Sequence, residues 1–139
     1  MNIRNSVILT AVFFMLMIGC ARAGFVSEIT EMTFNTEVIE SDMPVLVWFY
    51  YSKDVSPNNP FSDMIDKIAM KCIRRVKTLK MDSKYNIITS EKLKIKSNSV
   101  FILFVDGAEK VRSTEIRSEK DLNAFIDKYL PQDPAQKEK

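Results

Sequence analysis

Apolar residues occur in short runs separated by polar turn residues, and the spacing within each run predicts its secondary structure. Val45–Tyr51 and Val100–Val105 are continuously apolar and rich in β-branched and aromatic residues, which is typical of central strands covered on both faces. Phe25–Ile29 and Val76–Asp82 alternate more loosely and predict two further strands. Lys110–Ile116 carries charged residues that protect an exposed strand from aggregation, so it is predicted to form an edge strand.

Between these strands the apolar spacing changes to that of amphipathic helices. The clearest stripe follows Asn59-Pro60, a pair that predicts an N-cap residue and then proline at the first helical position. The apolar members of this stripe are Phe61, Met64, Ile65, Ile68, Ala69 and Cys72. The pattern therefore predicts one long helix directly after the strand and loop that begin at Val45.

Three shorter signals predict the remaining helices. A short helix is expected around Phe34–Ile39, ending near Ser41-Asp42, and one helical turn is expected within Ser90–Lys94. Ser118–Asp121 resembles a capping box in front of a last amphipathic helix, which Pro131 ends.

The order of these elements predicts the fold class. The chain runs β-α-β-α-β and then through a helical turn, a hairpin at Asp106-Gly107 and a final helix. This order is that of an α/β fold in which a central mixed β-sheet is flanked by helices on both faces.

The N-terminal residues predict entry into the secretory pathway. Arg4 precedes the apolar run Val7–Cys20, and Ala21-Arg22-Ala23 matches a cleavage signal before Gly24. We therefore expect residues 1–23 to be a cleaved signal peptide, residues 24–130 one domain and residues 131–139 a disordered tail. The alternatives are a hydrophobic membrane anchor and a bacterial lipoprotein.

The lipoprotein alternative would make Cys20 the lipidated residue. It is disfavoured because Met17 stands where a leucine is usual. The destination within the secretory pathway is expected to be the endoplasmic reticulum lumen or the exterior of the cell.

Charge and composition exclude several classes of function. Without residues 1–23 the chain has 18 basic and 18 acidic residues, so no strong basic field would attract nucleic acid or an anionic membrane. The chain contains no histidine, which excludes Ser-His-Asp and Cys-His catalysis and removes the commonest zinc ligand. We expect no cofactor and no bound metal.

The cysteines do not form a disulfide framework. Cys20 would leave with the signal peptide, and Cys72 would remain as a lone thiol. Because Cys72 lies on an apolar helix stripe, we expect it to be a small buried hydrophobic residue. Regulatory oxidation or intermolecular pairing is the alternative.

The anchors of this pattern resemble the thioredoxin family over roughly residues 26–130, nearest to its bacterial and plastid m-type members. The family often reads SDxPVLV, LDEIA, KLNID and FKNG at the corresponding places. The matching segments here are Ser41–Val47, Ile65–Ala69, Leu79–Asp82 and Phe104–Gly107. The resemblance implies a thioredoxin-like fold.

The catalytic features of that family are replaced at the aligned positions. Asp54 and Pro57 stand where the two cysteines of the C-x-x-C motif would be, with Val55 and Ser56 between them. Three further departures replace a buried carboxylate, a cis-proline and a groove glycine; they are Trp48, Ser99 and Glu115. Asp54 has a simpler interpretation as a loop cap, and Trp48 as a residue of the core.

The resemblance implies that a peptide-binding surface can persist without the thiols. We expect this surface to include Lys53, Asp54, Pro57, Asn98 and Ser99. The predicted function is a non-catalytic module of the secretory pathway that binds a protein or peptide and has no contact with membrane after signal cleavage. A secretory signal on an m-type-like body also resembles the atypical thioredoxins of legume nodules, which would imply a role in symbiosis.

Two alternatives belong to other classes. One is a residual thiol–disulfide oxidoreductase in cell redox homeostasis that uses Cys72 or an external thiol. The other is a structural subunit of an oligomer. The basic residues Lys71, Arg74, Arg75 and Lys77 are interpreted as a solvated surface.

Overall fold

The computed structural model describes residues 26–53 and 59–132. Its strands are β1 (Ser27–Glu28), β2 (Val45–Tyr50), β3 (Lys77–Asp82), β4 (Ser99–Val105) and β5 (Ala108–Ser113). Its helices are α1 (Glu31–Phe34, continued by a π-helical turn at Asn35–Ile39), α2 (Pro60–Lys71), α3 (Ile87–Lys92) and α4 (Glu119–Tyr129). The predicted signal peptide, Phe25 and the end of the predicted tail lie outside the described residues.

The strands form one mixed sheet in the order β1-β3-β2-β4-β5. β1, β3 and β2 are parallel, whereas β4 runs antiparallel to β2 and β5 antiparallel to β4. All six residues of β2 are buried, as its unbroken apolar run predicts for a central strand. The sheet confirms the predicted α/β class.

Successive residues of β2 point to opposite faces of the sheet and enter two separate cores. Leu46, Trp48 and Tyr50 pack with α2 and α4, and we call this the α2–α4 side. Val45, Val47 and Phe49 pack on the other face with α1 and the residues that follow α3, and we call this the α1–α3 side. Helices therefore cover both faces, as predicted.

The start of α2 and the β4–β5 turn follow the local chemistry of their sequences. The Asn59 side-chain oxygen accepts a hydrogen bond from the backbone N–H of Phe61 at 2.9 Å, which caps α2. Asp106 and Gly107 both have positive φ angles, 52° and 74°, as a type I′ hairpin turn requires. A Cβ atom at Gly107 would lie 2.4 Å from the carbonyl oxygen of Ile39, so this position also has no space for a side chain.

Two predicted boundaries were wrong, because contacts with distant segments determine where these elements begin or end. α3 begins at Ile87, earlier than the predicted turn, because a Glu31 carboxylate oxygen accepts from the N–H of Ile88 at 2.6 Å. β5 ends at Ser113, because Ile116 turns away from the edge and enters the core of the α2–α4 side.

The interpretation of the basic cluster as a solvated surface was wrong for Arg75. Its side chain is only 8% exposed and its Nη1 donates to Asp127 Oδ1 at 2.8 Å. Its other nitrogens donate to the carbonyl oxygens of Leu130 and Pro131. Arg75 therefore joins the C-terminal ends of α2 and α4.

The buried apolar side chains of the described ranges lie between Val26 and Leu130. Within the same ranges, no helix is long and apolar enough to cross a bilayer.

Candidate functional site

A hydrogen bond between two side chains lies where β2 and β4 run side by side. Trp48 Nε1 donates to Ser99 Oγ at 2.9 Å, and the indole is only 2% exposed. Trp48 pairs with Phe101 across the ladder, and Ser99 pairs with Tyr50 at the start of β4. The two positions singled out separately in the sequence are therefore in direct contact.

Aromatic rings surround the Trp48 indole. Tyr50 stacks on it with ring centroids 4.8 Å apart, and Phe101 lies nearly parallel to it at 6.3 Å. Phe61, from the first turn of α2, lies 6.1 Å from the indole. The sequence analysis interpreted Trp48 as a residue of the core. The structure places Trp48 in the core, with Phe61 half-buried above it.

A surface groove of about 340 Å³ lies beside this pair. It is lined by Phe61, Ser97, Asn98, Ser99, Thr114 and Arg117. The lining comes from the first turn of α2, the segment before β4 and the segment after β5. We call it the Ser99 groove.

The segment between β5 and α4 forms one wall of the Ser99 groove and is held by its own side chains. Arg117 Nη1 donates to the carbonyl oxygens of Thr114 at 2.8 Å and Ile116 at 3.0 Å. The N–H of Glu115 donates to Ser113 Oγ at 3.2 Å. Glu115 is exposed and is not among the residues that line the groove, so its side chain does not fill the groove.

A second depression of about 300 Å³ continues the Ser99 groove along the N-terminal ends of α2 and α4. Phe61 and Arg117 line both. The other lining residues are Pro60, Asp63, Met64, Lys67, Ser118 and Glu119, so acidic and basic side chains are mixed here. Because the two depressions share Phe61 and Arg117, they form one continuous surface.

The structure brings together part of the surface predicted from the sequence. Asn98 and Ser99 line the groove. Lys53 is exposed, and the other predicted members, Asp54 and Pro57, lie outside the described residues together with Val55 and Ser56.

Cys72 is remote from the Ser99 groove. It follows the last residue of α2, whereas Phe61 at the other end of that helix lines the groove. At 1.5 Å per residue, the two ends of this helix are about 16–18 Å apart. Cys72 is 3% exposed, and burial raises the pKa of its thiol, so little reactive thiolate forms at neutral pH. These observations agree with the interpretation of Cys72 as a core residue.

The acidic residues of the described ranges do not form a metal centre. No group of three potential ligands lies close enough to hold an ion within residues 26–53 and 59–132. Asp82, which is buried, instead accepts from the backbone N–H of Ser52 at 3.3 Å and of Lys84 at 2.9 Å. Its carboxylate fixes the turn after β3 against the end of β2.

Sequence reasoning missed the wall that faces Asn98 and Ser99. Thr114 and Arg117 follow an edge strand and have no sequence signal that separates them from other surface residues. Phe61 could have been found, because the first turn of a helix that follows a central strand lies at the carboxyl edge of the sheet, where ligands bind in α/β folds.

Comparison with known proteins gives one family. The family model described as Thioredoxin matches residues 25–128. The thioredoxin of Rickettsia typhi is 31% identical over 105 residues, which cover 76% of this chain and 99% of that protein. Thioredoxin 1 of Nostoc sp. is 29% identical over 104 residues, covering 75% of this chain and 96% of that protein. With the mixed five-stranded sheet and its two helical layers, these matches show that the chain belongs to the thioredoxin family.

Proposed function

We propose that this thioredoxin-family chain is a non-catalytic module of the secretory pathway that binds an extended protein or peptide segment in the Ser99 groove. The observation that carries the proposal is the groove of about 340 Å³ built over the Trp48–Ser99 hydrogen bond. It combines one aromatic side chain, Phe61, with hydroxyl, amide and guanidinium groups that suit a polar backbone.

The backbone at the start of β4 supports binding of an extended segment. β4 begins at Ser99, but its pairing with β5 begins only at Phe101, opposite Ser113. On the edge of β4 that faces β5, Ser99 and Val100 are therefore not paired with any residue of β5. A short extended segment can add to such a strand end by backbone hydrogen bonds.

Cysteine usage supports the non-catalytic part of the proposal. The chain contains only Cys20 and Cys72, so no C-x-x-C motif is present. Dithiol exchange needs an accessible thiolate and a second thiol to resolve the mixed disulfide. Cys72 is buried and lies at the opposite end of α2 from the groove.

Fluorescence of the single tryptophan tests the binding proposal. The chain without residues 1–23 is titrated with carboxymethylated insulin B chain, an extended peptide that cannot exchange thiols. Because Trp48 donates to Ser99, occupancy of the groove is expected to shift its emission. Calorimetry of the same titration gives the affinity independently.

Matched variants assign the binding to the groove. Thr114→Tyr fills the groove and is expected to weaken binding about tenfold or more. Thr36→Tyr, at an exposed position of the α1–α3 side, should leave the affinity unchanged. Equal affinities for both variants, or no binding by the unmodified chain, would contradict the proposal.

Insulin reduction with dithiothreitol separates the non-catalytic proposal from the oxidoreductase alternative. We expect no acceleration over dithiothreitol alone. Acceleration that disappears in Cys72→Ser would support the alternative, and acceleration that persists in Cys72→Ser would contradict both.

The location is tested by the N-terminus of the chain made in eukaryotic cells: a start at Gly24 supports signal cleavage, and a start at Met1 opposes it.

A further inference from the structure

A second surface, on the α1–α3 side, exposes large apolar side chains. Met32 is 92% exposed, Ile88 73%, Tyr85 70% and Ile87 57%. Scattered single apolar residues are normal on a protein surface, but a contiguous group marks an interaction site. We call these four residues the Met32 patch.

Hydrogen bonds hold the parts of the Met32 patch together. Asn86 Oδ1 accepts from the N–H of Glu31 at 2.9 Å, and Glu31 Oε1 accepts from the N–H of Ile88 at 2.6 Å. The Asn86 side chain in turn donates to the carbonyl oxygen of Asp82 at 2.8 Å. The start of α1 and the start of α3 therefore form one fixed surface, although Glu31 and Ile88 are 57 positions apart in the sequence.

A cavity of about 390 Å³ adjoins the Met32 patch and carries negative charge. Its lining includes three carboxylates and no Lys or Arg within the described part of the chain; the residues are Glu28, Ile29, Thr30, Glu31, Met32, Asp82, Tyr85 and Asn86. The hydrogen bonds of these carboxylates come from neutral donors. Glu28 accepts from the Tyr50 hydroxyl at 2.7 Å, and Glu31 and Asp82 accept from backbone N–H groups.

Lys84 is a cation in the turn that follows β3. Its Nζ lies 4.7 Å from the centre of the Tyr85 ring and 3.1 Å from the Tyr85 hydroxyl. Lys84 therefore contacts Tyr85 but is not one of the residues that line the cavity.

We infer that the Met32 patch and the adjoining cavity dock a partner segment that presents apolar side chains next to lysine or arginine. The apolar side chains would cover Met32, Tyr85 and Ile88, and a cation would enter among the carboxylates. Charge complementarity selects this occupant, because an acidic segment would meet only like charge in the cavity. The site is separate from the Ser99 groove, so neither proposal depends on the other.

Three synthetic peptides of equal length probe this inference. One alternates leucine with lysine, one alternates leucine with glutamate, and one alternates serine with lysine. The leucine–lysine peptide is expected to bind about tenfold or more tightly than either of the others, and its binding should weaken as salt is raised. Amide chemical shifts are expected to move at Met32, Glu31 and Ile88, with Trp48 emission unchanged.

Isosteric variants separate charge from structure. The double variant Glu28→Gln, Glu31→Gln keeps both hydrogen-bond acceptors and removes two charges, so it should fold normally and bind about tenfold less tightly. Met32→Ser with Ile88→Ser should reduce binding similarly, because both side chains are exposed. The matched control is Met70→Ser with Ile73→Ser, the exposed apolar pair near the end of α2, and it should bind as the unmodified chain does.

Several outcomes would overturn the inference. One is equal binding of the leucine–lysine and leucine–glutamate peptides. Another is loss of binding in the Met70, Ile73 control to the same degree as in the Met32, Ile88 variant. Self-association in sedimentation that Met32→Ser with Ile88→Ser abolishes would instead assign the patch to a second copy of this chain.

Discussion

The Ser99 groove and the Met32 patch lie on different sides of the sheet and are built in different ways. The groove lies over a buried side-chain hydrogen bond, from Trp48 to Ser99, and its walls are mostly polar. The Met32 patch has the reverse arrangement, with apolar side chains exposed and buried polar groups such as Asn86 fixing the backbone beneath them. One surface is therefore suited to a polar backbone and the other to apolar side chains.

Tyr50 connects the two regions. Its ring stacks on Trp48 in the α2–α4 core, whereas its hydroxyl donates to Glu28, which lines the cavity beside the Met32 patch. Exposed and buried apolar residues therefore have different tasks in this chain. The buried ones pack the two cores, and the exposed ones form the proposed docking surface.

The largest expected effect tests that division of tasks. Ile126→Ala removes a fully buried side chain of the α2–α4 core and is expected to lower the free energy of unfolding by about 2–5 kcal/mol. Ile88→Ala removes an exposed side chain of the Met32 patch and should change it by less than about 0.5 kcal/mol. Urea unfolding followed by circular dichroism measures both. Similar losses for the two variants would show that the Met32 patch supports the fold and is not free.

An intermediate effect is expected for the hydrogen bond under the groove. Ser99→Ala leaves the buried indole N–H of Trp48 without its acceptor and should cost about 1–3 kcal/mol of stability. Ser99→Thr keeps the hydroxyl and should restore most of that loss, and Ser97→Ala serves as the neighbouring control. Urea unfolding and the emission maximum of Trp48 provide the two readouts. If the Ser99→Ala chain were as stable as the Ser97→Ala chain, the Trp48–Ser99 hydrogen bond would not stabilise the groove.

The smallest expected effect is a pH dependence at the residue that joins the two regions. Burial, followed by the hydrogen bond and charge of Glu28, raises the pKa of Tyr50 above its ordinary value of 10.0. Above that pH the unfolded chain releases the phenol proton while the folded chain retains it, so stability is complete below pH 10 and falls as the pH rises further. The urea midpoint measured from pH 8 to pH 11 should decline more steeply for the unmodified chain than for Tyr50→Phe. Parallel declines would contradict the assignment.

Much of the fold could be predicted because its signals are local. The apolar run of β2, the Asn59-Pro60 cap of α2 and the Asp106-Gly107 turn each depend on residues close together in the chain, and each was confirmed. The boundaries that failed depend on distant contacts. α3 begins where Glu31 supplies a hydrogen-bond acceptor. No local sequence pattern at Ile87 predicts that a carboxylate from α1 lies beside it.

The candidate sites divide in the same way. Asn98 and Ser99 could be predicted from a family resemblance, but Thr114 and Arg117 could not, because their neighbourhood exists only after β5 has paired with β4. The exposure of Arg75 was also misjudged, because its three acceptors belong to the far end of α4. The loop Asp54–Pro57 and the signal peptide remain predictions from the sequence.

The sequence by itself determined the α/β class, the central strand, the main helix and the absence of a dithiol motif, since these depend on residue type and short-range spacing. Only the tertiary structure decided that Trp48 donates to Ser99, that Phe61 and Arg117 complete one groove, and that Met32 and Ile88 share one surface. The physical reason is that a hydrogen bond or a cavity needs atoms within a few ångströms of one another, and folding brings them together from segments tens of residues apart.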